Sequence, residues 1–177
     1  FEVFDVVSGG PERLYGGSLL NAAAGAILII TFTRPGLLDV EKGHRNISYD
    51  PGIIWVLAYT VWNFVFVYGT NPPDRPTGEW SGVALMHLGA PLILMSARSA
   101  LYIQMRGYAL FLTIALMAIA PFEPIIFRTP EWYHPIVAQI LAWLSFMLAI
   151  LLLWIEIRRG IQGGRANPVQ WLLNRFS

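Results

Sequence analysis

Five long stretches of the chain carry no Asp, Glu, Lys or Arg, and they limit what it can fold into. They run for 20 residues between Arg13 and Arg34, 23 between Asp50 and Asp74, 18 between Glu79 and Arg98, 16 between Arg106 and Glu123, and 24 between Glu131 and Glu156. Each is rich in Leu, Ile, Val, Ala and Phe. A helix needs about 17–25 mostly apolar residues to cross the hydrocarbon core of a bilayer. The stretches therefore predict an all-α polytopic transmembrane helix bundle, a single domain with five spans over residues 16–33, 51–68, 80–96, 107–127 and 134–157. The runs are continuously apolar and do not alternate, which argues against a β-barrel. The fourth stretch is too short unless its helix continues past Glu123. That sets one carboxyl group inside the membrane or at its edge.

Composition agrees. The 177 residues are 55% hydrophobic and 13% charged, against about 45–50% and about 25% in a soluble domain. Mean hydropathy is +0.53. A net charge of +1 gives no bias toward polyanions, so nucleic acid is not an expected partner. Cysteine is absent, which removes disulfides, thiolate metal sites and Cys nucleophiles. His44, His87 and His134 lie on different segments without metal-ligand spacing, so no metal site is expected. No phosphate-binding glycine loop, G-x-S-x-G or H-E-x-x-H occurs. No catalytic set can be assigned, and the cofactor is left open.

The connections carry turn chemistry. Arg34-Pro35-Gly36 opens a polar first loop, and Asn71-Pro72-Pro73-Asp74-Arg75-Pro76 cannot be helical. The last span stops at Arg158-Arg159-Gly160. Asn167-Pro168 then reads as an N-cap followed by proline in the first helical position. Val169, Leu172, Leu173 and Phe176 give this tail an apolar face, so a short interfacial C-terminal helix is expected, with a frayed tail as the alternative. Nine Lys and Arg residues fall in the first loop, the third loop and the tail, against three on the other side. The positive-inside rule then puts the C-terminus in the cytoplasm and Phe1 outside. An outside N-terminus without a cleavable signal is awkward to make alone. Further spans are therefore expected upstream of Phe1.

Polar groups inside hydrocarbon are costly and usually face the bundle interior. Asn21, Asn63, His87, Glu123 and Gln139, one from each span, fall roughly 6–12 Å below the outer ends of their helices at 1.5 Å per residue. They form a one-sided layer near the outer face. Gly17, Asn21 and Gly25 make a small, polar stripe. Trp55, Tyr59 and Asn63 repeat at i+4 with Trp62 beside them. Ala138, Ala142, Ser145 and Ala149 form a packing stripe on the last span. Pro121 and Pro124 bracket Glu123, and Pro91 lies one turn below His87. Each polar group also has a plainer reading. Asn21 and Asn63 can be interhelical hydrogen-bond glue, His87 a satisfied interior histidine, and Glu123 an interfacial carboxylate that reaches water. Arg98 and Glu156 are expected to snorkel to the cytoplasmic interface.

Asn21 and Gly25, the stretch Ala58-Tyr59-Thr60-Val61-Trp62-Asn63-Phe64-Val65-Phe66-Val67-Tyr68, and Ala120-Pro121-Phe122 together carry a resemblance. They resemble the C-terminal half of an uncharacterised family of bacterial polytopic membrane proteins, known as a domain of unknown function. The resemblance implies architecture, with further spans upstream, and no activity, substrate or cofactor.

The expectation is an integral membrane protein of the bacterial inner membrane. Its leading reading is transport or small-ligand binding in an outward-facing polar pocket lined by Asn21, Tyr59, Trp62, Asn63, His87, Glu123 and Gln139. One alternative is a non-catalytic subunit of a larger membrane complex, its partners being the lipid bilayer and other membrane subunits. The other is an outer-leaflet lipid-modifying enzyme with Glu123 and His87 as acid and base.

Overall fold

The computed structural model describes residues 18–33, 38–40, 42–43, 46–69, 81–95, 99–119 and 134–176. They form helices α1 (Leu19–Ile30), α2 (Ile53–Gly69), α3 (Ser81–Met95), α4 (Tyr102–Ile119), α5 (Pro135–Ile161) and α6 (Pro168–Phe176). A two-stranded hairpin of β1 (Asp39–Val40) and β2 (Ile47–Ser48) lies between α1 and α2, and a 3-10 turn (Ser99–Leu101) leads into α4. The protein is mainly a helix bundle, as the apolar runs imply.

The five expected spans are not matched by five helices of spanning length. Among the described residues, one helix, Pro135–Ile161, is long and apolar enough by itself to cross a membrane. Helix α1 has 12 residues, which reach about 18 Å, short of the ~30 Å hydrocarbon thickness. Helix α3 has 15 residues and holds Pro91 within it. Helix α4 starts at Tyr102 instead of Gly107, so it takes in Gln104 and Arg106 and loses apolar character. Glu123 and its flanking prolines lie outside the described residues, as does Arg98.

The helices alternate in direction. Near one end, Leu28 of α1, Trp55, Val56 and Ala58 of α2, Tyr102 of α4 and Leu152 of α5 form one buried apolar cluster. The hairpin joins this end. Tyr49 N–H donates to the Ala100 carbonyl (2.9 Å), and Ile47 N–H donates to Gln104 Oε1 (2.7 Å). Tyr49 is buried, and its hydroxyl donates to the Thr33 carbonyl. Burial pushes this phenol above its usual pKa, and that hydrogen bond partly opposes the rise. At the other end the Tyr68 hydroxyl accepts from His134 N–H (2.9 Å), tying the last turn of α2 to the first of α5. Thus the first loop, the third loop and the end of α5 share one end of the bundle.

Helix α5 packs through a single stripe. Ala142, Ser145, Ala149, Leu152, Glu156 and Gly160 are buried, Leu148 packs partly buried beside them, and Trp143, Leu144, Met147, Ile150, Leu151 and Trp154 are exposed. Small side chains at this spacing let α1 and α2 approach closely, since dispersion contacts fall off steeply with separation. Helix α6 begins where the Asn-Pro pair implies. Asn167 Oδ1 accepts from Gln170 N–H (3.0 Å), an N-cap bond three residues on.

Glu156 does not snorkel. It is 5% exposed, and its carboxylate accepts from Asn167 Nδ2 (2.6 Å), from Gln170 Nε2 and from Arg159 Nη1 (2.7 Å). The reason is geometric. The chain reverses after α5 through Gly163, whose φ of +91° suits glycine. This brings two amide side chains of the α6 start over Glu156, and they replace the water it would otherwise need.

Candidate functional site

The sequence-predicted site residues separate into three groups. Asn21 and Trp62 meet in a buried node. Asn21 Nδ2 donates to the Trp62 carbonyl (3.2 Å), and Trp62 Nε1 donates back to the Asn21 carbonyl (2.9 Å). Ser145 of α5 donates its hydroxyl to Asn21 Oδ1 (2.8 Å). Asn21 is fully buried, so its side chain holds three helices together and lines no open space. This is the glue role of a buried amide. Gly25, one turn on, lies under the Trp62 indole so closely that a Cβ there would be 2.8 Å from Nε1.

Gln139 does not join the layer. It is exposed on α5, three residues before Ala142, where the buried stripe begins. His87 is on α3, and Glu123 lies outside the described residues. Asn63 is half-buried on α2, one turn beyond Tyr59.

Tyr59 belongs to a continuous aromatic stripe. Trp55 stacks on Tyr59 (5.1 Å between centroids, 9° between planes), Tyr59 tilts against Trp62 (5.9 Å), and Trp62 stacks on Phe66 (6.5 Å). Phe32 extends it below Trp55 at 4.9 Å. Trp55 Nε1 donates to the Leu28 carbonyl (3.1 Å), so this indole is satisfied without any ligand.

A residue that sequence reasoning counted only as a loop cation completes this face. Arg106 sits in the second turn of α4, is 9% exposed, and places its guanidinium 5.9 Å from the centre of the Tyr59 ring. One turn before it, the buried Tyr102 hydroxyl is 3.3 Å from Thr60 Oγ1. The signal that could have found it was the early start of α4. The 3-10 turn and the backbone bond from Tyr49 to Ala100 anchor that start, and both involve a hairpin not visible in hydropathy.

On the other side of α2 lies an open apolar groove of about 240 Å³, lined by Thr60, Val61 and Phe64, by Leu85, Leu88 and Leu92 of α3, and by Leu141 and Leu144 of α5. Its walls offer almost no polar chemistry. Among the described residues no three His, Asp or Glu side chains come together as a metal site would need.

Residues 9–172 match the model of a family described as "Family of unknown function (DUF5692)". No curated protein and no solved structure matches the chain.

Proposed function

We propose that the chain, which belongs to the family of unknown function DUF5692, is an integral membrane protein. Its helices cross a bilayer five times, with the C-terminus in the cytoplasm of a bacterial cell, and its interior aromatic face binds a small ligand without transforming it. The observation that carries the membrane reading is the outward surface. Only 22% of the most apolar window of α5 is buried, whereas the core helix of a soluble protein of like composition is mostly buried. Ile29, Ile93, Phe111 and Ile119 on α1, α3 and α4 are likewise exposed. Such surface is stable against lipid and unfavourable against water.

The ligand-binding part rests on the stripe from Trp55 to Phe66. Aromatic walls with a few polar groups beside them are the usual chemistry of small-molecule pockets. Tyr59 and Trp62 belong to this stripe, and Asn63 lies next to Trp62 on the same helix. The apolar groove beside Leu88 favours a second reading, in which the protein is a subunit seated against another membrane helix.

Native mass spectrometry of the chain released from its host membrane separates the two. A one-to-one small-molecule adduct, lost in Tyr59→Ala, is expected. A bare wild-type chain would contradict ligand binding, and a co-released polypeptide would favour the subunit reading.

A further inference from the structure

We propose that Arg106 is an oxyanion-binding residue, taking a phosphate or carboxylate group carried on an apolar molecule. This deepens the ligand-binding reading and rests on it. Arg106 as a residue is 9% exposed. Its Nε and Nη1 are shielded from solvent and have no hydrogen-bond partner among the described residues. The Tyr59 ring of α2 lies 5.9 Å from the guanidinium. A cation–π contact at that distance offsets only a small part of the desolvation of a cation. Asp39 and Asp50 are exposed, and Glu156 is engaged by Arg159, Asn167 and Gln170.

A guanidinium holds its charge even where it is buried, and all its N–H groups are donors with no acceptor of their own. It therefore needs an anion. The guanidinium fork matches the oxygen spacing of phosphate and carboxylate. The surroundings choose the rest of the molecule. Tyr59 is backed by Trp55, and the buried Tyr102 lies one turn below. A small hydrated ion would have to shed its water at this largely apolar position, whereas an amphiphile carries an apolar body beside its charge. Arg106 also lies toward the hairpin end of the bundle, where headgroups sit in the membrane reading.

The test uses the full chain in nanodiscs of phosphatidylcholine alone or with a minority of phosphatidylglycerol. Decyl phosphate is titrated as a soluble anion, with decanol as the neutral control. Tryptophan fluorescence and the melting temperature are read together. Wild type is expected to be stabilised by phosphatidylglycerol or decyl phosphate and not by decanol, with affinity falling about tenfold in Arg106→Gln, the effect of one charge-assisted contact. A response confined to phosphatidylglycerol identifies a lipid headgroup, and one confined to decyl phosphate identifies a free amphiphile. Should Arg106→Gln not fold, Arg106→Lys keeps the charge without the fork and is expected to bind several-fold more weakly, roughly, than wild type. Equal binding by wild type and variant overturns the proposal. So does a wild type that ignores both anions, as it would if a carboxylate of this chain already filled the site. A native adduct that persists in Arg106→Gln removes Arg106 from the site and leaves ligand binding standing; no adduct and no anion response removes both.

Discussion

Gly25→Leu is expected to separate α1 from α2 and to destabilise the bundle by about 2–3 kcal/mol, the upper range for overpacking a close contact. A Cβ at this position would already lie 2.8 Å from Trp62 Nε1 and 3.1 Å from Cε2. An indole could ordinarily swing away. Here it is held by its bond to the Asn21 carbonyl and by the rings of Tyr59 and Phe66 on either side. Moving the indole breaks its bond to the Asn21 carbonyl, one half of the reciprocal Asn21–Trp62 pair. The gain in helix propensity on replacing glycine, about 0.8 kcal/mol, does not offset this. The matching control is Ala26→Leu, next in sequence and exposed, which should melt like wild type. Thermal unfolding in detergent, followed by the near-ultraviolet signal of the tryptophans, reads both. Equal melting of the two variants would show that the Asn21 node does not hold the helices.

Glu156→Leu should release α6 while leaving the other helices folded. The carboxylate is the common acceptor for Asn167 Nδ2 and Gln170 Nε2. Leucine fills the volume but leaves both amide donors buried without partners, at about 1–3 kcal/mol each. The Arg159 contact adds little, because that side chain is 59% exposed. Beside these bonds, Leu173 and Gln170 pack on Gly160, and Arg165 donates to Asn174 Oδ1. Gly160 and Gly164 sit so close to Gln170 that the fit depends on the absence of side chains there. Released, the Gly163-Gly164 turn becomes open to protease. Limited proteolysis should therefore cut Glu156→Leu near Gly163 well before wild type, with the melting of the bundle unchanged. Resistance equal to wild type would mean that packing against Leu173, not the carboxylate, docks the tail.

These expectations also show where sequence reading reached and where it stopped. The small stripe on the last helix was legible because Ala142, Ser145 and Ala149 repeat at helical spacing in a run that is otherwise large and apolar, and all three are buried. The tail helix was legible because Asn-Pro is a local signal that needs no tertiary partner. Asn21 was legible as polar and interior. Its partners were not, since Trp62 and Ser145 lie 41 and 124 residues away. Glu156 and Arg106 were misplaced for one reason. A charge at the end of an apolar run looks the same whether it snorkels to water or turns inward, and the choice is made by what the chain folds back against it. For Glu156 that is α6. For Arg106 it is the hairpin and the 3-10 turn, which start α4 before the charge instead of after it. For Gln139, polarity within an apolar run did not reveal that the side chain is exposed on α5.

The central claim, that the bundle is threaded through a bilayer with the hairpin and tail on the cytoplasmic side, is open to one direct measurement. The chain has no cysteine, so Lys42→Cys in the hairpin turn, Gln162→Cys after α5 and His134→Cys at its start each provide a single reporter. A membrane-impermeant maleimide applied to intact cells should label His134→Cys, and should label the other two only after the membrane is permeabilised. Labelling of all three from outside, or only of the Lys42 and Gln162 variants, would contradict the threading, and release of the protein by alkaline carbonate would contradict the bilayer altogether.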